Sequence, residues 1–255
     1  MKTIKKLIYI VLSLLILLPS ACKKDEDIGP GVASLVPFNA VVGEQQFFLN
    51  FKGDKYVPYA NGLSIPFGVF TSFNSRLALK GGETPIGLFV PPDTTINSIP
   101  IYKNNYHFPI GSMHTLFYVG KKNDIQEILI KEQFSFPGEK NTSIRFINTS
   151  PTVNPVVFKI LGPVDSLISN DLTFKQYSDF YKVPIQIGAP NYVVRCEDAV
   201  TNEVIAELPL NGTGDNGLIT GNSWLRNHFT VALVGEQGAE FNFRQQLVLI
   251  SHTIN

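Results

Sequence analysis

Two stretches of this chain align on each other without a gap, VPFNAVVGEQQFFLNF (36–51) and RFINTSPTVNPVVFKI (145–160). Asn39 meets Asn148, and Phe47, Leu49 and Phe51 meet Val156, Phe158 and Ile160, all at an offset of 109 positions. Leu63 meets Leu172 at the same offset. Farther on, Leu116-Phe117-Tyr118-Val119-Gly120 answers Val231-Ala232-Leu233-Val234-Gly235 at an offset of 115. Three anchors in one order with a nearly constant offset describe a duplicated module. The six residues gained between the last two anchors fit a loop insertion, which leaves strand order undisturbed. The copies are expected at 32–138 and 141–255, with the turn-forming Phe136-Pro137-Gly138-Glu139-Lys140-Asn141 between them.

Each copy consists of short apolar runs rich in Val, Ile, Phe and Tyr, separated by turn residues, the pattern of regularly spaced β-strands. Amphipathic helices longer than a turn or two are not expected. Leu172 to Tyr181 is the most helix-tolerant stretch, and its aromatic content suits an extended segment as well. Period-2 alternation assigns faces. Phe47, Leu49 and Phe51 point one way, Phe48 and Asn50 the other; Val156, Phe158 and Ile160 face in and Lys159 out. The LFYVG and VALVG runs are apolar on both faces and are expected as central strands. The expected class is all-β, two tandem immunoglobulin-like or transthyretin-like β-sandwich modules with cores about 10 Å thick; a small barrel is the alternative.

The first residues have the three-part layout of an export signal. Lys2, Lys5 and Lys6 precede an apolar run, Leu7 to Leu18, of twelve residues. That is shorter than the roughly 20 residues a membrane span needs. The small residues Ser20 and Ala21 follow, and an ordinary secretory signal cut near Ala21 is one reading. Leu18-Pro19-Ser20-Ala21-Cys22 also resembles the bacterial lipoprotein signal, with Pro19 where a large aliphatic is usual and Leu18 one place earlier. The resemblance implies removal of 1–21, diacylglyceryl modification of Cys22 and a tether over 22–31. Each buried CH₂ of such an anchor contributes about 0.8 kcal/mol. Lys23-Lys24-Asp25-Glu26-Asp27 resembles the surface-export signal of Bacteroidetes lipoproteins, which implies a lipid anchor in the outer membrane and exposure at the cell surface. The alternative is the periplasmic face.

A second resemblance lies in the later copy. Ile144-Arg145-Phe146-Ile147-Asn148-Thr149-Ser150-Pro151, then Tyr177-Ser178-Asp179-Phe180-Tyr181-Lys182-Val183-Pro184, Tyr192-Val193-Val194 and Phe229-Thr230-Val231-Ala232-Leu233-Val234-Gly235 follow one another in order. This succession resembles the bacterial β-sandwich family called domain of unknown function 4397. The first copy is more divergent: Val36-Pro37-Phe38-Asn39-Ala40 lacks the Ser-Pro pair. The resemblance implies a β-sandwich in an extracytoplasmic setting and carries over no catalytic residue.

Charge and chemistry narrow the function classes. Removal of the three signal lysines leaves a mildly acidic chain with only five arginines, which has no footprint for nucleic acid. With Cys22 acylated, Cys196 has no intramolecular partner, and its alternating context suits a buried structural thiol. Gly212-Thr213-Gly214-Asp215-Asn216-Gly217 matches a dinucleotide fingerprint, but Leu218-Ile219-Thr220-Gly221 is a poor helix start, so a hairpin loop is expected. His107, His114, His228 and His252 lack metal-ligand spacing, and His114 and His228 are expected in loops ahead of the central strands. Neither a metal nor a cofactor is expected. Asp93-Thr94-Thr95 and Asp165-Ser166-Leu167 resemble the short O-glycosylation sequon of Bacteroidetes envelope proteins, with Thr94 and Ser166 as acceptors.

Nineteen Phe and nine Tyr are many for two small cores. Tyr56, Tyr59, Tyr102, Tyr106 and Trp224 fall in loop-like stretches, where exposed rings would stack on sugar faces or bury at a protein partner. The function expected is that of a non-catalytic, lipid-anchored cell-envelope protein that binds or adheres through its sandwich modules, with a glycan or an envelope protein as partner. A fimbrillin-like subunit of a surface fibre is the alternative, although the first arginine, Arg76, comes late for the processing such subunits undergo. A hydrolase accessory domain ranks below both.

Overall fold

Strand order repeats as the sequence does. The computed structural model describes residues 31–54, 62–70, 76–91, 97–152, 154–164, 167–215 and 221–252. The first copy supplies β1 (Val32–Asn39), β2 (Gln46–Asn50), β3 (Leu63–Pro66), β4 (Leu77–Lys80), β5 (Gly82–Phe89), β6 (Tyr102–Phe108), β7 (Met113–Lys121) and β8 (Asp124–Lys131). The second supplies β9 (Asn141–Asn148), β10 (Val156–Leu161), β11 (Leu167–Ile168), β12 (Tyr181–Pro184), β13 (Tyr192–Asp198), β14 (Val204–Leu210), β15 (His228–Val234) and β16 (Gln246–Ser251). The first copy folds into sheets β4-β1-β7-β8 and β3-β2-β5-β6, and the second into β12-β9-β15-β16 and β11-β10-β13-β14. Each strand of the second copy thus holds the place of its counterpart eight strands earlier. β1 runs parallel to β7 and β9 parallel to β15, while the other strand pairs are antiparallel.

The duplicated anchors mark duplicated backbone devices. Asn39 ends β1 and Asn148 ends β9, both fully buried. Asn39 Oδ1 accepts the Val41 amide at 3.0 Å and Asn148 Oδ1 accepts the Ser150 amide at 3.0 Å. Their amide nitrogens reach across the chain to the carbonyls of Ile65 and Leu172 at 3.3 and 3.1 Å. Each Asn satisfies polar backbone where a strand leaves its sheet, which a buried chain cannot leave unpaired. Gly120 and Gly235 have φ of +91° and +87°, and a Cβ there would lie 2.5 and 2.2 Å from a facing carbonyl oxygen. Only glycine fits either position.

Three apolar layers separate the four sheets. Phe47, Leu49, Ile86, Leu88, Leu116 and Tyr118 fill the first sandwich. Phe146, Val156, Phe158, Val194, Val231 and Leu233 fill the second. Between the copies lies a third layer that joins Val36, Phe38, Phe117, Val119 and Ile130 to Ile147, Ala232, Val234 and Ile250. β7 and β15 are therefore central strands covered on both faces: Leu116 and Tyr118 point one way, Phe117 and Val119 the other. Burial of those side chains, each contributing about 1.5–3 kcal/mol, holds the copies together, and residues 32–255 form one compact unit.

Phe48 and Asn50 point away from Phe47 and Leu49, as expected, and are buried on that outward face as well. The turn at 51–54 folds back over that face, with the Gly53 carbonyl against Gly87. His228 opens β15 and His114 lies in β7, so neither is a loop residue. Leu172 to Tyr181 is not helical: bridges at Leu172 and Tyr177 tie it to β10 and β9, with a turn at Phe174 and Lys175 between them. Among the described residues there is no α-helix, only one turn of 3₁₀ helix at Phe241–Phe243.

Candidate functional site

Two places concentrate polar chemistry, and one of them is inside the molecule. The middle layer is apolar at one end and polar at the other, because the same strand parity continues. Thr115 precedes Phe117, Arg145 precedes Ile147, Thr230 precedes Ala232, and His252 follows Ile250, each two residues away on the same face. Glu132, just past β8, completes the group. Arg145 Nη2 pairs with Glu132 Oε1 at 2.5 Å, with side chains only 4% and 2% exposed. Thr115 donates to the same carboxylate oxygen at 2.5 Å. Arg145 Nε donates to Thr230 Oγ1 at 2.8 Å, and that hydroxyl lies 2.7 Å from His252 Nε2. The guanidinium also sits over the Phe180 ring, 4.9 Å from its centroid. Such a cation over a ring is stabilised further.

This constellation binds its own members. Thr230 accepts from Arg145 and can give its hydroxyl proton to a neutral His252. Burial pushes His252 well below the ordinary imidazole range, and the charges of Arg145 and Arg76, then His228, push the same way. Burial also lowers His228 and His114. His228 lies tilted against Phe134 and edge-on to Phe180, with centroids 4.9 and 5.3 Å away. The guanidinium and carboxylate are locked in an ion pair across the two copies, so the arrangement is a clamp and not an open reactive centre.

The expected aromatic sites resolve differently. Tyr106 lies on β6 and packs into the first sandwich, 4% exposed, stacked on Phe108 at 5.9 Å. Trp224 is likewise 4% exposed, in the second core, its ring 4.3 Å from Phe229 and its Nε1 donating to the Asn211 carbonyl at 2.8 Å. Neither offers a ring face to a ligand: Tyr106 is a strand residue and not a loop residue, and Trp224, in a turn as expected, is buried and not exposed. Both rings are large apolar surfaces whose single polar atom is satisfied within the fold. Tyr102, also on β6, is half-buried and donates to Glu127 Oε2 at 2.8 Å. Tyr106 donates to the same oxygen, and Asn104 Nδ2 donates to Glu127 Oε1 at 2.9 Å. Burial, with the Glu127 hydrogen bond and charge, pushes the Tyr102 phenol up to about 12. These bonds close the open side of the sandwich between edge strands β6 and β8. Cys196 is fully buried, and its thiol is pushed up by burial and by Glu197. Cys22, Tyr56, Tyr59, Thr94 and Ser166 lie outside the described residues. Among the described residues, no group of three His, Cys, Asp or Glu side chains converges as a metal site would.

The second polar place is open. Two adjoining hollows of about 530 and 440 Å³ share Asp54 and Lys103. Lys52, Gly53, Pro85, Asn104 and Asn105 line one, and Ser98 through Tyr102 line the other. Sequence inspection missed this groove because it brings together segments that are far apart in the chain. Its wall is fixed by local devices. Asn50 Oδ1 accepts the Lys52 amide at 2.8 Å. Gly87 has no Cβ, and a Cβ there would stand 2.2 Å from the Gly53 oxygen. Asn105 Nδ2 donates to Glu83 Oε2 at 2.9 Å, and Asn104 Oδ1 accepts the Asn105 amide at 2.8 Å.

No protein-family model matches the sequence, and no curated protein matches it. Solved structures that align with the chain include a candidate polysaccharide-binding protein of Bacteroides thetaiotaomicron, at 11% identity over 88% of this chain and 98% of the other, with a TM-score of 0.27. A candidate cell-adhesion protein of Bacteroides ovatus aligns at 9% identity over 89% and 99%, with a TM-score of 0.26. A streptococcal virulence factor that binds α-glucan aligns at 8% identity over 88% and 99%, also with a TM-score of 0.26. At these identities and scores the likenesses carry no argument about this chain.

The clamp makes two predictions. Arg145→Met leaves the Glu132 charge buried and unpaired, and urea unfolding is expected to show a loss of about 3–5 kcal/mol. The double variant Arg145→Met/Glu132→Leu is expected to recover most of that loss, because both charges are then gone. The second prediction concerns acid. Folded His252 resists a proton that the unfolded chain takes up near pH 6.5. Its contribution to stability is therefore full above about pH 6.5 and is lost as pH falls, by up to about 1.4 kcal/mol per unit. The urea midpoint of His252→Gln is expected to decline less between pH 7.5 and pH 5 than that of the unaltered chain. An equal decline contradicts this.

Proposed function

We propose that this chain is a non-catalytic protein of the cell envelope, held in the outer membrane by a lipid on Cys22 and displayed at the cell surface. There it binds or adheres through its first sandwich. The observation that carries the binding reading is the open groove around Asp54 and Lys103, a preformed hollow lined by an exposed ion pair. In the buried clamp, by contrast, Arg145 and Glu132 Oε1 are paired with each other and with threonine hydroxyls inside the fold. Support for the anchor is the sequence Leu18-Pro19-Ser20-Ala21-Cys22 followed by Lys23-Lys24-Asp25-Glu26-Asp27. Two acyl chains would hold such a protein at a membrane where one would not. The resemblance of Ile144 to Pro151 and the segments after it to an extracytoplasmic sandwich family agrees with that setting.

Metabolic labelling with an alkyne fatty acid tests the anchor. Label is expected on the full chain and is expected to vanish in Cys22→Ala, while external protease digests the unaltered protein on intact cells. Label that persists in Cys22→Ala, or complete protection from protease, contradicts the reading.

A further inference from the structure

We infer that the groove on the first sandwich takes a neutral glycan, with the Asp54–Lys103 pair and the Asn105 side chain contacting its hydroxyls. The inference rests on the binding reading above and names the ligand of that site. Asp54 and Lys103 lie 3.1 Å apart, with side chains 62% and 60% exposed. An exposed pair of this kind contributes little to folding, so stability does not account for it. It does present a strong acceptor beside a strong donor, with almost no net charge.

Hydroxyl groups donate and accept at once, and they need both kinds of partner within one short reach. The groove supplies them, together with the Asn105 amide, whose orientation is fixed by Glu83. Around this polar strip stand Pro85, Pro100 and the exposed side chains of Ile99 and Ile101, 79% and 44% accessible. A sugar has that same division, hydroxyl edges and an apolar C–H face. Other ligand classes fit less well. A phosphate calls for cations with no competing carboxylate, whereas Lys52 and Lys103 share this groove with Asp54. A metal calls for several converging oxygen ligands, whereas among the described residues Asp54 is the one carboxylate that lines the groove.

The second copy provides an internal contrast. There β13 passes to β14 through the short turn Ala199–Glu203, where the first copy has a longer β5–β6 connection, of which Ser98, Ile99, Pro100 and Ile101 line the groove. The edge strand β14 carries instead an exposed Arg195–Glu207 pair at 2.6 Å, shared with β13. The site belongs to one member of a duplicated pair.

Affinity electrophoresis of the detergent-extracted full chain tests the inference, in gels holding dextran, laminarin, yeast mannan or polygalacturonate. At least one of the three neutral polymers is expected to retard the protein. Asp54→Ala/Lys103→Ala is expected to weaken that retardation at least about tenfold with an unchanged melting temperature. Arg195→Ala/Glu207→Ala, the matched pair on the other copy, is expected to run as the unaltered chain. Retardation by polygalacturonate alone, or by no polymer, overturns the neutral-glycan inference and leaves the lipid anchor at Cys22 to its own test. Equal retardation of the Asp54/Lys103 variant overturns the placement in this groove while the binding reading stands.

Discussion

The structure depends on a layer of side chains that belongs to neither sandwich alone. β7 and β15 each bury both faces, and so do β1 and β9 beside them. A strand that is apolar on one face can end a two-sheet sandwich. A strand apolar on both faces cannot, since its second face needs cover. Phe117, Val119, Ala232 and Val234 find that cover in each other's copy. Duplication of a sandwich with one such face therefore yields four stacked sheets and three cores.

The polar end of the same layer follows from the same parity. Two residues before the apolar set, the strands present Thr115, Arg145 and Thr230, and Glu132 and His252 close the group. Buried charges are costly unless paired and hydrogen-bonded, and here each partner of the Arg145–Glu132 pair also bonds to a threonine. An apolar layer can slide, because its contacts are non-directional. A buried ion pair has one geometry. The clamp therefore fixes how the copies register, while the apolar end supplies most of the attraction. The outer surfaces differ between the copies, since the β5–β6 connection of the first is long and the β13–β14 turn of the second is short.

Much of this was legible in the sequence, and the boundary of legibility is physical. Period-2 patterning placed Val156, Phe158 and Ile160 inward and Lys159 outward, and the structure agrees. The doubly apolar runs gave the central strands. Arg145 was visible as a lone charge in Ile144-Arg145-Phe146-Ile147, on the parity of Ile147, but nothing local named Glu132 as its partner. Tyr102, Tyr106 and Phe108 share one parity on β6, a signal for an inward face that the polar Lys103-Asn104-Asn105 obscured. Trp224 had no such signal, since it reaches the core from a turn rather than a strand. The groove was illegible because residues 52–54, 85 and 98–105 meet only through sheet pairing.

The claim that the two copies fold as one body can be read with the chain's single tryptophan. Trp224 lies in the second core, so its fluorescence follows that copy alone, whereas far-ultraviolet circular dichroism follows the strands of both. In urea the two signals are expected to trace one transition with a common midpoint, as a single cooperative unit does. A fluorescence transition displaced from the dichroism curve, with dichroism falling in two steps, would show that the copies unfold separately and would contradict the shared layer as the basis of the fold.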